Sequence, residues 1–345
     1  MSRLAFMMVL IALGCGDKES TPIDGGSPDS DQDTSTDTSD TTDTTKESAP
    51  CEVAVVETDP LDGNTNWYYR DTIQVVFSDP AADMASFTTT ESRTGDSVDV
   101  IVTWDDTGFV ASLSGPSGDW AGQTSYTVDV SVCDSNTLMS FETTEYGTSL
   151  NENPQSLVGN TYNFDMSAVT YLAPPMIGPV MSLYLSTPLL IGVIDADDTS
   201  ITIVGAQGYT DEISGEVLQD PTIATWDFGT ADFQDSPFFA ASGQTVFEYL
   251  GYEIPIHDFS FEGTFSPDGT SIGGGVFVGL GDTTDMGPLL QVGSEPDATC
   301  NELATFGVEC EPCPNDSADD TPLCLTVVGV FEEGELLDFS VDIIK

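Results

Sequence analysis

Basic residues are nearly absent: Lys and Arg together number 6 in 345 residues, against 59 Asp and Glu, for a formal net charge of −53. Three of the six, Arg3, Lys18 and Lys46, precede residue 51, which leaves Arg70, Arg93 and Lys345 for the remainder. A surface of that sign repels phosphate backbones, so nucleic acid is excluded as a partner. Histidine occurs once, as His257, which rules out any mechanism or zinc site that needs two imidazoles. Apolar runs long enough for a membrane-spanning helix, about 20 residues, are also missing. The nearest approach, Val169–Ile194, has no charged residue but carries Pro174, Pro175, Pro179 and Pro188, and prolines break the backbone hydrogen bonding that a span requires. That stretch is expected to be a buried segment with a short helix near Val180–Leu185.

What is present starts with an export pattern. Arg3 is followed by an uncharged run from Leu4 to Leu13, too short to cross a bilayer, and then by Gly14-Cys15. Small residues immediately before a cysteine suit a signal peptidase with a narrow pocket, and this stretch resembles the lipobox of bacterial lipoproteins. The resemblance implies that residues 1–14 are a signal peptide and that Cys15 is acylated, with chains of the palmitate type anchoring the protein to a membrane. From Gly16 to Pro50 the chain is almost wholly Asp, Ser, Thr, Gly, Glu and Pro, with Ile23 its only large apolar residue. Such a segment buries too little surface to offset its entropy, so residues 15–50 are expected to be a lipidated cysteine followed by a disordered acidic linker. Asp29, Asp31 and Asp33 alternate as in a calcium loop, yet no glycine turn or distal Glu follows at the loop spacing.

With Cys15 assigned to lipid, Cys51, Cys133, Cys300, Cys310, Cys313 and Cys324 remain. An even number in an exported chain is the pattern of disulfides in an oxidising compartment. The last four could pair in three ways, of which Cys300 with Cys310 and Cys313 with Cys324 is preferred. Their spacing also fits a four-thiolate zinc site, but thiols oxidise outside the cytoplasm. The Cys310-Glu-Pro-Cys313 spacing fits thiol exchange as well, yet Glu309, Glu311 and Asp316 would raise a thiol pKa rather than lower it.

Residues 51–146 read as short strands at Val53–Glu57, Thr72–Phe77, Val98–Trp104, Phe109–Leu113, Tyr126–Val132 and Met139–Thr143, separated by turn signals such as Asp59-Pro60 and Gly115-Pro116. Short, β-branched segments at this spacing predict an antiparallel sandwich. Asp59-Pro60-Leu61-Asp62-Gly63, Ile73-Gln74-Val75-Val76-Phe77-Ser78, Thr124-Ser125-Tyr126-Thr127-Val128 and Phe141-Glu142-Thr143-Thr144 occur in order. Together they resemble the bacterial Ig-like domain found in S-layer and other surface proteins. The resemblance implies a buried corner role for Tyr126, its hydroxyl bonded to backbone. Cys51 and Cys133 depart from the family pattern, and their pairing is expected to fasten the N-terminal strand.

Residues 147–345 form a second all-β unit, expected to be a larger antiparallel barrel or sandwich with short helices. Its clearest element is a hairpin: Phe259, Phe261 and Phe265 alternate with polar residues, Ser266-Pro267-Asp268-Gly269-Thr270 turns the chain, and Ile272, Val276, Val278 and Leu280 alternate on the return. Met176, Met181, Leu183 and Leu185 could line a pocket for an apolar ligand, although ordinary core is the favoured reading.

Catalytic patterns fail on context. Gly269-Thr270-Ser271-Ile272-Gly273 matches a nucleophile elbow, but that elbow joins a strand to a helix and here it lies in a hairpin. Paired carboxylates for glycan hydrolysis carry no information in so acidic a chain. Asp195, Asp197 and Asp198, and Asp316, Asp319 and Asp320, lack the spacing that singles out calcium. The expectation is a non-enzymatic lipoprotein of the cell envelope, on the outer membrane or cell surface, with no cofactor, no metal and no catalytic residue. Its partners are the membrane, through the anchor, and a protein, glycan or apolar ligand. A lipid carrier is the second reading, and an envelope glycan hydrolase the third.

Overall fold

Tyr126, Val128, Val130 and Val132 alternate with polar residues, and the strand they form, Ser125–Val132, buries every second side chain. That alternation organises the N-terminal half of the computed structural model, which describes residues 51–174, 178, 187–233, 237–249, 251–314 and 322–345. Nine strands run β1 Val55–Asp59, β2 Asn64–Trp67, β3 Ile73–Phe77, β4 Ser86–Glu91, β5 Ser97–Val98, β6 Ile101–Trp104, β7 Val110–Ser114, β8 Ser125–Val132 and β9 Ser135–Thr143. They form two sheets, ordered β1-β3-β7-β6 and β2-β9-β8-β4-β5. Only the β2–β9 pair among these strands is parallel. The sheets enclose a core of Trp67, Tyr69, Ile73, Val75, Phe77, Trp120, Val128, Val130, Met139 and Phe141.

The expected strand Val98–Trp104 is two strands. Ser97–Val98 pairs with β4, whereas Ile101–Trp104 pairs with β7 in the facing sheet, so the chain changes sheets at Asp99-Val100. β4 and β2 have little apolar periodicity to announce them. The sequence Ser-Phe-Thr-Thr-Thr-Glu holds one large apolar residue and forms a strand through β-branched threonines and pairing with β8. Tyr126 occupies its expected corner: it is 4% exposed, and its hydroxyl accepts a hydrogen bond from the Ala121 amide at 3.1 Å. The Asp62 carboxylate accepts from both the amide and the hydroxyl of Ser140, each at 2.8 Å, which ties the β1–β2 turn to β9.

Twelve further strands make one sheet: β10 Thr161–Phe164, β11 Thr170–Ala173, β12 Leu189–Ala196, β13 Ser200–Thr210, β14 Val217–Gln219, β15 Trp226–Asp232, β16 Phe238–Tyr249, β17 Tyr252–Phe265, β18 Ser271–Asp282, β19 Glu311–Pro312, β20 Pro322–Val330 and β21 Glu333–Leu337. Its main path is β11-β20-β18-β21-β10-β12-β13-β14, with β17 and then β16 branching from β18, β15 from β13 and β19 from β20. Of the two forms expected, the closed barrel is not adopted. Between β15 and β16 a single bridge, Phe233 to Phe239, replaces a ladder, and Trp226 packs on Phe247 with ring centroids 5.2 Å apart. The short helices expected here include Gly287–Leu290 and Ala298–Ala304.

Aromatic rings fill the interior. Phe164 meets Phe261 at 5.0 Å and Phe331 at 4.9 Å, while Phe265 meets Tyr162 and Phe239, each at 5.4 Å. On the return strand of the hairpin the expected facing is wrong. Ile272 is inward, but Phe277 is the next large inward residue, and Val278 is 38% exposed. The cause is a bulge. Thr264 pairs with Gly273 while Glu262 pairs with Val276, so one extra residue lies on β18, and Gly274 takes a positive φ of 61° there. One inserted residue reverses every later side chain.

Candidate functional site

Tyr68, Tyr69 and Arg70 follow β2, and together with Tyr146 they reach the twelve-stranded sheet. The Tyr68 hydroxyl lies 2.7 Å from Thr264 Oγ1, and the Tyr69 hydroxyl lies 3.2 Å from the same atom. Tyr146 lies 2.9 Å from Ser271 Oγ and donates to Glu333 at 3.1 Å. The Arg70 guanidinium stacks 3.6 Å above the Phe238 ring while pairing with Asp119 at 3.7 Å. Burial holds the phenols of Tyr68 and Tyr146 well above the usual tyrosine pKa, so both stay neutral. Gly273 and Gly274 make room for these rings. A Cβ on Gly273 would stand 2.3 Å from Tyr146, and one on Gly274 2.1 Å from Tyr68. The cluster of aromatics around Arg70 was the available sequence signal for this junction, and strand periodicity does not single it out.

The second cluster forms at the other end of β17 and β18. Cys300 bonds Cys310 and Cys313 bonds Cys324, so the two cysteines of Cys310-Glu-Pro-Cys313 take different partners. Cys51 bonds Cys133, which fastens the chain before β1 to the two-residue turn between β8 and β9. His257 on β17 sits beside the second of these bonds: one of its ring nitrogens and the sulfurs of Cys313 and Cys324 all lie within 4.8 Å of one another. Its Nε2 is 4.0 Å from Asp282 Oδ2 on β18, and Asp282 is in register with Cys324 on β20. Three neighbouring strands thus converge on one spot, and the separation of His257 from Cys313 and Cys324, 56 and 67 residues, hid this in the sequence.

Two facing sheets and a corner tyrosine form an Ig-type sandwich, and comparison with known families agrees. Residues 49–148 match the bacterial Ig-like domain family. No curated protein matches the chain. Among solved structures it is similar to domains 1 to 6 of the surface layer protein SbsC, at a TM-score of 0.20 and 9% identity, over 84% of this chain and 54% of that one. A second structure, of the S-layer protein rSbsC, gives a TM-score of 0.20 and 8% identity over the same 84% and 54%. The chain spans about half the length of those structures, a likeness too distant to transfer a role.

Outside the Ig-like module the remaining candidates are accounted for by folding. Ser271 is 6% exposed, opens β18 and bonds Tyr146, so it presents no hydroxyl to a substrate. Donors within their own turns hold the Asp197, Asp211 and Asp268 carboxyls below the usual aspartate range, the opposite of what a general acid needs. Asp197, for instance, accepts from the Thr199 and Ser200 amides, both at 2.8 Å. A surface hollow of ≈ 150 Å³ lies between Val158, Asn160, Gly192 and Ser340, below the roughly 300 Å³ at which ligand clefts begin. Met176, Met181, Leu183 and Leu185 lie outside the described residues, as do Val180–Leu185, residues 1–14, Cys15, the linker to residue 50, and Asp316, Asp319 and Asp320.

Proposed function

We propose that this chain is a non-enzymatic cell-envelope protein, acylated at Cys15, whose acidic linker carries an Ig-like module and a larger β domain away from the membrane to bind a partner or to build the envelope. The observation that carries the reading is the junction. Three tyrosines and an arginine dock the Ig-like module onto the twelve-stranded sheet, so the two act as one stiff body rather than as beads on a string. Both interiors are packed with side chains, and the shifted carboxyls serve their own turns, which suits recognition or scaffolding rather than chemistry. The carrier reading rests on Met176, Met181, Leu183 and Leu185, and the described interior, filled by phenylalanine rings, offers it no support. Fractionation of cells expressing the full chain tests the proposal. The native protein should sediment with membranes and be released by detergent, and Cys15→Ala should appear in the soluble or secreted fraction. Membrane retention of Cys15→Ala would refute the anchor.

A further inference from the structure

We propose that His257, Cys313 and Cys324 form a metal site for Zn²⁺ that is gated by reduction: closed while the two cysteines are joined, open once they are thiols. The three donor atoms already lie within 4.8 Å of one another. In a tetrahedral Zn²⁺ site, metal–ligand bonds of about 2.3 Å to sulfur and about 2.0 Å to nitrogen place sulfur and nitrogen roughly 3.5 Å apart and the two sulfurs roughly 3.8 Å apart. Side-chain rotation of about 1 to 2 Å therefore converts the observed arrangement into a coordination sphere without moving a strand.

The surroundings suit a cation. Asp282 Oδ2, 4.0 Å from His257 Nε2, adds negative charge beside the imidazole, its Oδ1 is held by the Thr284 amide at 2.9 Å, and water supplies the fourth position. The side chains of His257 and Asp282 are 19% and 24% exposed, which gives an ion a path inward, whereas Cys324 is fully buried and Cys313 is 6% exposed. Cys300 and Cys310 make their own bond and are not needed. Two thiolates and an imidazole form the donor set that favours Zn²⁺ over Ca²⁺ or Mg²⁺.

Opening the site requires a dithiol reductant. Two electrons and two protons pass from the dithiol to the Cys313–Cys324 bond, giving two thiols, and the dithiol becomes a disulfide. Zn²⁺ then binds the two sulfurs and releases their protons to solvent. In an oxidising compartment the closed form predominates, so the site reports on exposure to reductant.

The test uses the full chain, reduced with a dithiol, desalted without oxygen and titrated with Co²⁺ as a spectroscopic stand-in for Zn²⁺. One Co²⁺ per chain should bind with thiolate charge-transfer and tetrahedral visible bands. The unreduced chain should show neither. Cys300→Ser/Cys310→Ser should keep the signal, and His257→Ala should weaken binding by about tenfold or more. Absence of tetrahedral Co²⁺ in the reduced chain would overturn the proposal. So would binding of equal strength in His257→Ala, which is what thiols on an unfolded chain would give, or loss of the signal in Cys300→Ser/Cys310→Ser.

Discussion

Gly273→Ala should undock the Ig-like module while leaving both cores intact. The added Cβ would stand 2.3 Å from the Tyr146 ring, so the ring must leave its seat. Its hydroxyl then loses Ser271 at 2.9 Å and Glu333 at 3.1 Å. Two hydrogen bonds at about 0.5 to 1.5 kcal/mol each, with an overpacking cost of about 1 to 3 kcal/mol, amount to a loss of about 2 to 6 kcal/mol in docking. The assay is hydrogen exchange followed by mass spectrometry, with X-ray scattering for shape. Amides of residues 146–151 and 266–274 should exchange faster and the radius of gyration should rise, while protection in β8 and β9 persists. A double-mutant cycle makes the reasoning refutable. With Tyr146→Ala already in place the ring is gone, so adding Gly273→Ala should cost close to nothing. If the two costs simply add, the clash with Tyr146 is not the cause.

Two further outcomes concern stability. The Cys51–Cys133 bond closes a loop with a sequence separation of 82, and loop entropy then predicts that Cys51→Ser/Cys133→Ser costs the Ig-like module about 4.5 kcal/mol, against about 3 kcal/mol for removing either short-loop bond near the C-terminus. Urea denaturation followed by exchange within β8 for the first variant and within β20 for the others should show this order, and equal costs would refute it. The pH dependence has two limbs. Burial raises the Tyr162 hydroxyl, which donates to the Gly269 carbonyl at 2.7 Å, from 10.0 to about 12. A pKa raised by folding gives stability that is full below pH 10 and lost as pH climbs toward 12, and Tyr162→Phe should flatten that fall in a thermal-melt series. Asp197, Asp211 and Asp268 are lowered from 3.8 by hydrogen bonds from their turns, led by the Thr199 amide, the Ser214 amide and the Thr270 hydroxyl respectively. Their stabilisation is present above pH 3.8 and is lost as pH falls below it. Asp268→Asn should shrink the acid limb, and an unchanged acid limb in that variant would count against the turn bonds.

Much of the architecture was legible from local chemistry. Alternation at Tyr126 to Val132 announced a half-buried strand because a pleat has a period of two. The Asp62-Gly63 turn could be read because glycine tolerates the φ of +80° found there. The aromatic alternation of β17 similarly marked an inward face. Where periodicity and packing disagree, the sequence was silent. One apolar run, Val98 to Trp104, serves two sheets, and a glycine bulge at Gly274 turns Val276 and Val278 off the phenylalanine core and Leu280 onto the cluster of Cys313, Leu323 and Cys324.

By itself the sequence determined an all-β chain with an Ig-like first module, a strongly acidic composition, and an even set of cysteines after Cys15. Each of these follows from composition or from contacts between near neighbours. Tertiary structure alone decided that the sheet stays open where Trp226 meets Phe247, that Tyr68 and Tyr146 bond residues of a different module, and that His257 lies against Cys313 and Cys324. Those pairings join residues far apart in sequence, and strand register, which no local pattern encodes, sets them.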